Sequence, residues 1–375
     1  MVRRNPERRG LEPGAQVFVV IALAALSLVV HLCSAALAAW RYLWPGRERV
    51  GARPFVSIIR PVCGLDRYDA ETLRSTFTLD WPDYEILFCA ARADDAAVPL
   101  VQRLIAEFPA RRARLLIGED RISGNPKLNN VAKGWRESRG EIVAMIDSNV
   151  LLPPDYLSQV MARFQGDTGL VSSPPAGIRG EGMAGALECA FLNGMQARWQ
   201  LAADQLGLGF AQGKNLVWRR AVLDRAGGPA ALGHDLAEDV ASTKAVRAQG
   251  LRVRLARRAF VQPIGPRHFR AVWDRQLRWS RVRRAGFPGL FLAEALVGPV
   301  PPVLALAFTA PGLILPFLLL WYGAEWLLCR IAGWPAGGRD LAAMGLRDLL
   351  LQPLWCATWL RRGFEWRGTA MDAVK

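Results

Sequence analysis

Apolar residues along this chain fall into two textures. One is unbroken: Val17 to Trp40 is almost wholly apolar. At about 1.5 Å per residue it would form a helix of about 36 Å, enough for a hydrocarbon core of about 30 Å. The same texture returns after Gly286, where Phe291 to Trp334 is long enough for two spans, with Pro311-Gly312 as the break between them. Leu341–Leu360 is apolar as well, but Arg347 and Asp348 interrupt it. Adjacent charges are unfavourable at bilayer depth, so an interfacial amphipathic helix and a third C-terminal span both fit. The other texture begins at Arg53 and is periodic. Phe55–Ile59, Tyr84–Ala90 and Arg114–Ile117 read as strands and Ala70–Thr78 as a helix. Val98, Val101, Leu104, Ile105 and Phe108 share one helical face. Asn125 before Pro126 marks a helix start, Asn as cap and Pro in the first turn, and that helix runs to about Trp135. Ile142–Ile146, apolar throughout, suits a strand buried on both faces. This alternation predicts an α/β domain with a mostly parallel sheet covered by helices.

The two textures divide the chain into a basic N-terminal segment (1–16), a transmembrane helix (17–40), an α/β domain (53–285), two transmembrane helices (289–334), an interfacial or third C-terminal membrane helix (341–362) and a tail (363–375). The first apolar run is too long for a signal-peptide core and lacks a small-residue cleavage site, so it reads as a retained anchor. Arg3, Arg4, Arg8 and Arg9 before it balance Arg41, Arg47, Arg49 and Arg53 after it, and charge therefore does not orient it. Asp155–Arg258 is less regular. Gly177, Gly180, Gly182 and Gly185 suggest a mobile loop there, and Gly207–Lys214 is glycine-rich without the spacing of a P-loop or a dinucleotide fingerprint.

Composition narrows the partners. Lys+Arg exceeds Asp+Glu by 15 in a chain that is 51% hydrophobic. Such a balance points to nucleic acid, an acidic membrane surface or a phosphorylated substrate. The 6 cysteines and 3 histidines show no metal-site spacing, which argues against a zinc site and against a disulfide framework, and for a reduced compartment.

The chemistry-bearing residues gather where strands should end. Asp147 stops the Ile142–Ile146 run, and ligands of open α/β sheets sit at the carboxyl ends of strands. A carboxylate there suits a hard divalent cation, Mg2+ or Mn2+, although Asp is also an ordinary turn starter. Asp94-Asp95 follows another strand to the same edge, and Lys127 opens a helix on it. A helix start with an added ammonium suits a diphosphate, whereas a solvated turn and a surface lysine are the bland alternatives. Glu238 and Asp239 also open a helix, where one of them could be a general base or both could merely serve the helix dipole. Arg275, Arg278 and Trp279 sit in a basic stretch with Arg281, Arg283 and Arg284. The latter three read as a membrane-facing basic surface. An arginine fork beside a large ring can order a phosphate.

Taken together, R60-P-V-C-G-L-D66, the run from Leu79 to Cys89, Asp94-Asp95, N-P-K-L-N-N ending at Asn130, Asp147-Ser148, V222-L-D-R-A-G-G228, Ala237-Glu238-Asp239 and R275-Q-L-R-W279 resemble the ceramide glucosyltransferase family. These are membrane-bound enzymes with a Rossmann-like GT-A domain. The motifs occur in the family's order over roughly 54–284, with apolar segments on both sides. The resemblance implies Asp94 and Asp95 beside the nucleotide and Asp147 at the metal and donor diphosphate. It implies Asp239 as the catalytic base and Arg275, Arg278 and Trp279 as the closing motif. Arg92 stands where the family commonly has a further aspartate, and Gln196 where its animal members have a histidine. Some bacterial relatives act on diacylglycerol or hopanoid lipids.

The expectation is therefore an inverting transfer of a hexose from a UDP-sugar to the hydroxyl of a membrane lipid, ceramide first, with a hopanoid or diacylglycerol as alternatives. The enzyme would be an integral, multi-pass membrane protein with its catalytic domain in the cytoplasm, in the inner membrane if bacterial, and without a nucleic-acid partner. A processive polysaccharide synthase of the same fold would show more spans and usually Gln in place of Arg275. A non-enzymatic basic membrane protein would leave Asp147 and the Arg-Trp cluster unexplained.

Overall fold

The computed structural model describes residues 13–44, 46, 50–360, 364–366 and 369–371. Arg3, Arg4, Arg8, Arg9, Arg47 and Arg49, with most of the expected segments 1–16 and 363–375, lie outside the described residues, as do 361 and 362. The central sheet is built from β1 (Val56–Val62), β2 (Tyr84–Ala90), β3 (Arg112–Ile117), β4 (Ile142–Ile146), β5 (Thr168–Ser172), β7 (Asn215–Arg219) and β8 (Arg252–Leu255), in the order β3-β2-β1-β4-β7-β5-β8. The β3-β2-β1-β4 half is parallel; β7 runs antiparallel to both neighbours, and β5-β8 is again parallel. A parallel pair, β6 (Pro175–Glu181) with β9 (Phe260–Pro266), stands beside it.

The inner strand β4 is apolar throughout, and β2 nearly so, because both faces are covered. Ile58 and Ile86 pack into one core with Leu73, Phe77, Val101 and Leu104, while their neighbours Ile59 and Leu87 enter the opposite core with Val131, Trp135, Met145 and Trp218. Each such side chain, once buried, contributes about 1.5–3 kcal/mol. Asn125 caps helix Pro126–Glu137 as expected, its carboxamide oxygen accepting from the Lys127 and Leu128 amides. The stretch expected as helix Ala70–Thr78 is an α-helix, Asp69–Arg74, tightened into a 3₁₀ turn over Ser75–Thr78.

One expectation is corrected. Gly177 and Gly180 do not lie in a mobile loop but in β6, and Gly185 lies in helix Gly182–Ala190 packed against that strand. The glycines permit backbone contact: a Cβ on Gly180 would lie 2.5 Å from the Gly185 carbonyl oxygen, and one on Gly185 would lie 2.6 Å from that of Gly265. A π-helical segment, Phe191–Ala197, continues into helix Arg198–Gln205.

Helix Pro13–Leu43 packs along Arg198–Gln205, Val300–Thr309 and Ile314–Ala332. Among the described residues two helices, Gly14–Leu43 and Pro311–Ala332, are long and apolar enough to cross a membrane. Between them in sequence, where the first of two C-terminal spans within 289–334 is expected, Pro288–Leu296 and Val300–Thr309 form a pair bent by 42°. Phe18, Leu23, Leu26, Leu304, Phe308, Leu315 and Leu319 are exposed on these helices. Apolar surface of that extent does not suit water, and the chain associates with a membrane through it.

Candidate active site

Strand β4 delivers Asp147 to the carboxyl edge of the sheet, and the antiparallel return of β7 places Lys214 directly beside it: the Asp147 amide donates to the Lys214 carbonyl at 3.0 Å. The Asp147 carboxylate sits between two ammonium groups, Lys127 Nζ at 2.6 Å from Oδ1 and Lys214 Nζ at 2.9 Å from Oδ2. Lys127 Nζ also reaches Glu238 Oε1 at 2.7 Å and donates to the Gly213 carbonyl at 2.6 Å. Asn125 donates from Nδ2 to the other oxygen of Glu238 at 3.1 Å. Asp239 accepts from the Gly213 amide at Oδ2 (3.2 Å) and from the Val240 amide at Oδ1 (2.8 Å). The two-residue segment Gly213-Lys214 thus touches both Asp147 and Asp239. A Cβ at Gly213 would fall 2.8 Å from Glu238 Oε1 and shift that carboxylate away from Lys127.

Electrostatics separate the two aspartates. Burial would raise the Asp147 pKa, but Lys127 and Lys214 outweigh it and hold the carboxyl well below its usual range. Lys127 is held well above its usual value because Asp147 and Glu238 overcome its burial. Lys214 falls below its usual value through burial, with Arg275 adding to the effect and Asp147 opposing it. Asp239 has no lysine of its own; burial, reinforced by the neighbouring Glu238 charge, pushes it up to about 6. A carboxylate poised there can accept a proton near neutral pH.

Arg275, Arg278 and Trp279 lie on helix Phe269–Gly286. Arg275 donates from Nη1 to Glu188 and is an electrostatic neighbour of Lys214 and of Asp66. Arg278 follows one turn later and is half-buried. The Trp279 ring packs against Cys189, Leu192 and Ile264, which anchors the helix. A cleft lined by His234, Asp235, Leu236, Ala237, Val240, Val282, Ala285 and Gly286 runs between this helix and the start of helix Glu238–Ala248.

The structure brings Lys127, Asp147 and Asp239 into one cluster, with Arg275 at its margin. Asp94 and Asp95 share the sheet edge without touching that cluster. Exposed Asp94 pairs with Arg92 at 2.6 Å. Asp95 accepts from the Gly64 amide at 2.9 and 3.0 Å and from the Ala97 amide at 2.8 Å, which ties the turn after β1 to the next helix. Sequence reasoning missed Lys214, Asn125 as a contact of Glu238, and Glu238 as the partner of Lys127. The signal for Lys214 was its place at the end of a glycine-rich run immediately before a strand.

Among the described residues no three His, Cys, Asp or Glu side chains converge closely enough to hold a metal by themselves. The donors at the cluster are oxygens, and Asp147 is the one carboxylate whose oxygens meet only ammonium groups. That set fits a hard cation only where a ligand's phosphates complete its coordination.

A mixed α/β domain with a mostly parallel central sheet is the GT-A glycosyltransferase fold. The chain belongs to glycosyl transferase family 21, whose sequence model matches residues 18–375. Ceramide glucosyltransferase 1 of Caenorhabditis elegans is 28% identical over 257 residues, covering 68% of this chain and 55% of that protein. Ceramide glucosyltransferase 3 of the same organism is 28% identical over 285 residues, covering 73% and 62%. The chain therefore spans less than two thirds of either relative. Among solved structures, the mannosyltransferase PcManGT from Pyrobaculum calidifontis in complex with GDP-Man and Mn2+ matches with a TM-score of 0.56, covering 93% of this chain and 98% of that one at 20% identity, a likeness of fold. The resemblance to the ceramide glucosyltransferase family is borne out.

Proposed function

We propose that the protein transfers a hexose from a UDP-sugar to the hydroxyl of a membrane lipid, ceramide first among the acceptors, by single displacement with inversion. The observation that carries this reading is the shared segment Gly213-Lys214, which joins a lysine-held carboxylate, Asp147, to a carboxylate with raised pKa, Asp239. As the bond from the anomeric carbon to the diphosphate lengthens, negative charge grows on the leaving UDP. Lys127, Lys214, Arg275 and Arg278 collect it. Asp147 would hold a divalent cation jointly with the diphosphate, and that cation when bound adds Lewis-acid charge to the leaving group. Asp239 takes the proton of the incoming lipid hydroxyl at one carboxylate oxygen as the new glycosidic bond forms. No covalent enzyme intermediate is required. Asp94 and Asp95 flank the nucleotide beyond the end of β2, two strands from β4.

The acceptor enters through the cleft between helix Phe269–Gly286 and the start of helix Glu238–Ala248, since the first of these leads directly into the exposed apolar turn bearing Leu290, Leu292 and Leu296. The membrane helices make the protein multi-pass, and the domain faces the cytoplasm, where nucleotide sugars are supplied. A hopanoid or diacylglycerol acceptor would use the same route. The decisive experiment is incubation of membranes containing the protein with UDP-hexoses, lipid products being identified by mass spectrometry and the anomeric configuration by NMR. A new glycolipid of inverted configuration is expected. Retained configuration, or UDP-sugar hydrolysis without a lipid product, would count against the reading, and a polymer would favour a processive synthase.

A further inference from the structure

We propose that Glu188 is a positioning residue of the donor site, holding the guanidinium of Arg275 where it meets the diphosphate. This rests on the donor-site reading above. Glu188 is wholly buried in helix Gly182–Ala190, which packs against β6, β9, helix Phe269–Gly286 and helix Gly338–Trp359. An ionised carboxylate in such surroundings is costly unless a cation meets it. Arg275 is that cation, donating through Nη1 to Oε1. Glu188 Oε2 is buried and has no hydrogen-bond partner, so the carboxylate is not serving as a hub for its own neighbourhood.

The pair is lopsided: the Glu188 side chain is 1% exposed and that of Arg275 is 25% exposed. Glu188 is the anchor behind, and Arg275 is the end that solvent and ligand can reach. At that end Arg275 lies within electrostatic reach of Lys214 and Asp66. A guanidinium so near the Lys214 ammonium is repelled by it when no anion lies between them. The buried Glu188 charge offsets that repulsion and keeps the arginine in place before the diphosphate arrives. Ordering a long side chain in advance removes part of the entropy cost of binding.

Calorimetric titration of the full chain in detergent with UDP, with Mg2+ present, tests this. Glu188→Gln keeps the shape and removes the charge; we expect Kd for UDP to rise roughly tenfold, the size of one charge-assisted contact. The donor KM should rise with it, while kcat at saturating donor changes much less. Arg275→Gln should show a similar loss, and adding Glu188→Gln to it should cause no further loss, because one residue acts through the other. Glu188→Asp, which keeps the charge on a shorter arm, should give an intermediate Kd and provides the comparison where the Gln variant does not fold. UDP affinity unchanged in both variants, or equal losses from Glu188→Gln with and without Arg275, would overturn the assignment. A wild-type chain that binds no UDP would overturn the donor-site reading and this inference with it. Normal wild-type binding beside insensitive Glu188 variants overturns this inference alone.

Discussion

Two clusters of charge in this molecule invite comparison. At the sheet edge, Lys127, Asp147, Lys214 and Glu238 have side chains 12 to 22% exposed, and Lys127 divides its contacts between two carboxylates. On the C-terminal helices Ile314–Ala332 and Gly338–Trp359, Glu325, Arg347 and Asp348 are 1 to 2% exposed. Arg347 donates to both Glu325 oxygens and to Asp348. His31 stacks on Trp321 and donates from Nε2 to its carbonyl at 2.9 Å, while Nδ1 accepts from Arg198, which also donates to Ser34 at 2.5 Å and to the Gly194 carbonyl at 3.0 Å. The first cluster is reachable and its ammonium groups can exchange a carboxylate for a phosphate. The second is sealed, and its charges neutralise one another across helices Pro13–Leu43, Arg198–Gln205, Ile314–Ala332 and Gly338–Trp359. Paired charges therefore serve opposite ends here: a pair open to solvent can be traded for a ligand, and a closed one locks helices together.

Asp239→Asn should reduce transfer by about 10²–10⁴ while UDP affinity is kept, since in the proposed mechanism it removes only the base; turnover and calorimetry read the two effects separately. Its stability should move the other way. The folded-state pKa is raised to about 6, so the acid is destabilising once pH passes its unfolded value and fully so above 6. Asp239→Asn should match wild type in denaturant melts near pH 4 and be at least as stable at pH 7.

Arg347→Met should cost about 3–5 kcal/mol of stability by stranding Glu325 and Asp348. Thermal melts read that loss, and activity per folded molecule should stay near wild type. Lys214→Met, in the reachable cluster, should instead weaken UDP binding by roughly 10–100-fold, the range for a hydrogen bond between charged groups, with little change in melting temperature. If Arg347→Met spared stability and Lys214→Met collapsed it, the contrast between the clusters would be wrong. The smallest effect is in the pH profile. The transfer rate should rise about tenfold per pH unit below 6 and level off above it as Asp239 ionises, and the Asn variant should lose that limb.

Much of the candidate site was legible from local pattern. An apolar strand halted by Asp147, and an Asn-Pro-Lys helix start, place charged groups at one sheet edge because parallel strands share a direction. The glycine-bearing region after Asp155 was not legible, because glycines read alike in a loop and at a close backbone approach such as that of Gly180 with Gly185. Lys214 was hidden for a related reason: its value comes from β7 pairing antiparallel with β4, a choice made between strands far apart in sequence.

By itself the sequence determined the alternation of strand and helix, the apolar helices and the residue types at strand ends, since each depends on neighbours a few positions away. Only the tertiary structure decided which charge meets which. Arg347 looked unfit for bilayer depth until Glu325 was brought to it from another helix, and Asp239 gains its proton affinity from burial beside Glu238 within the assembled site. The energy of a charge depends on its partners and on the water that packing excludes, and neither is written in the order of the residues.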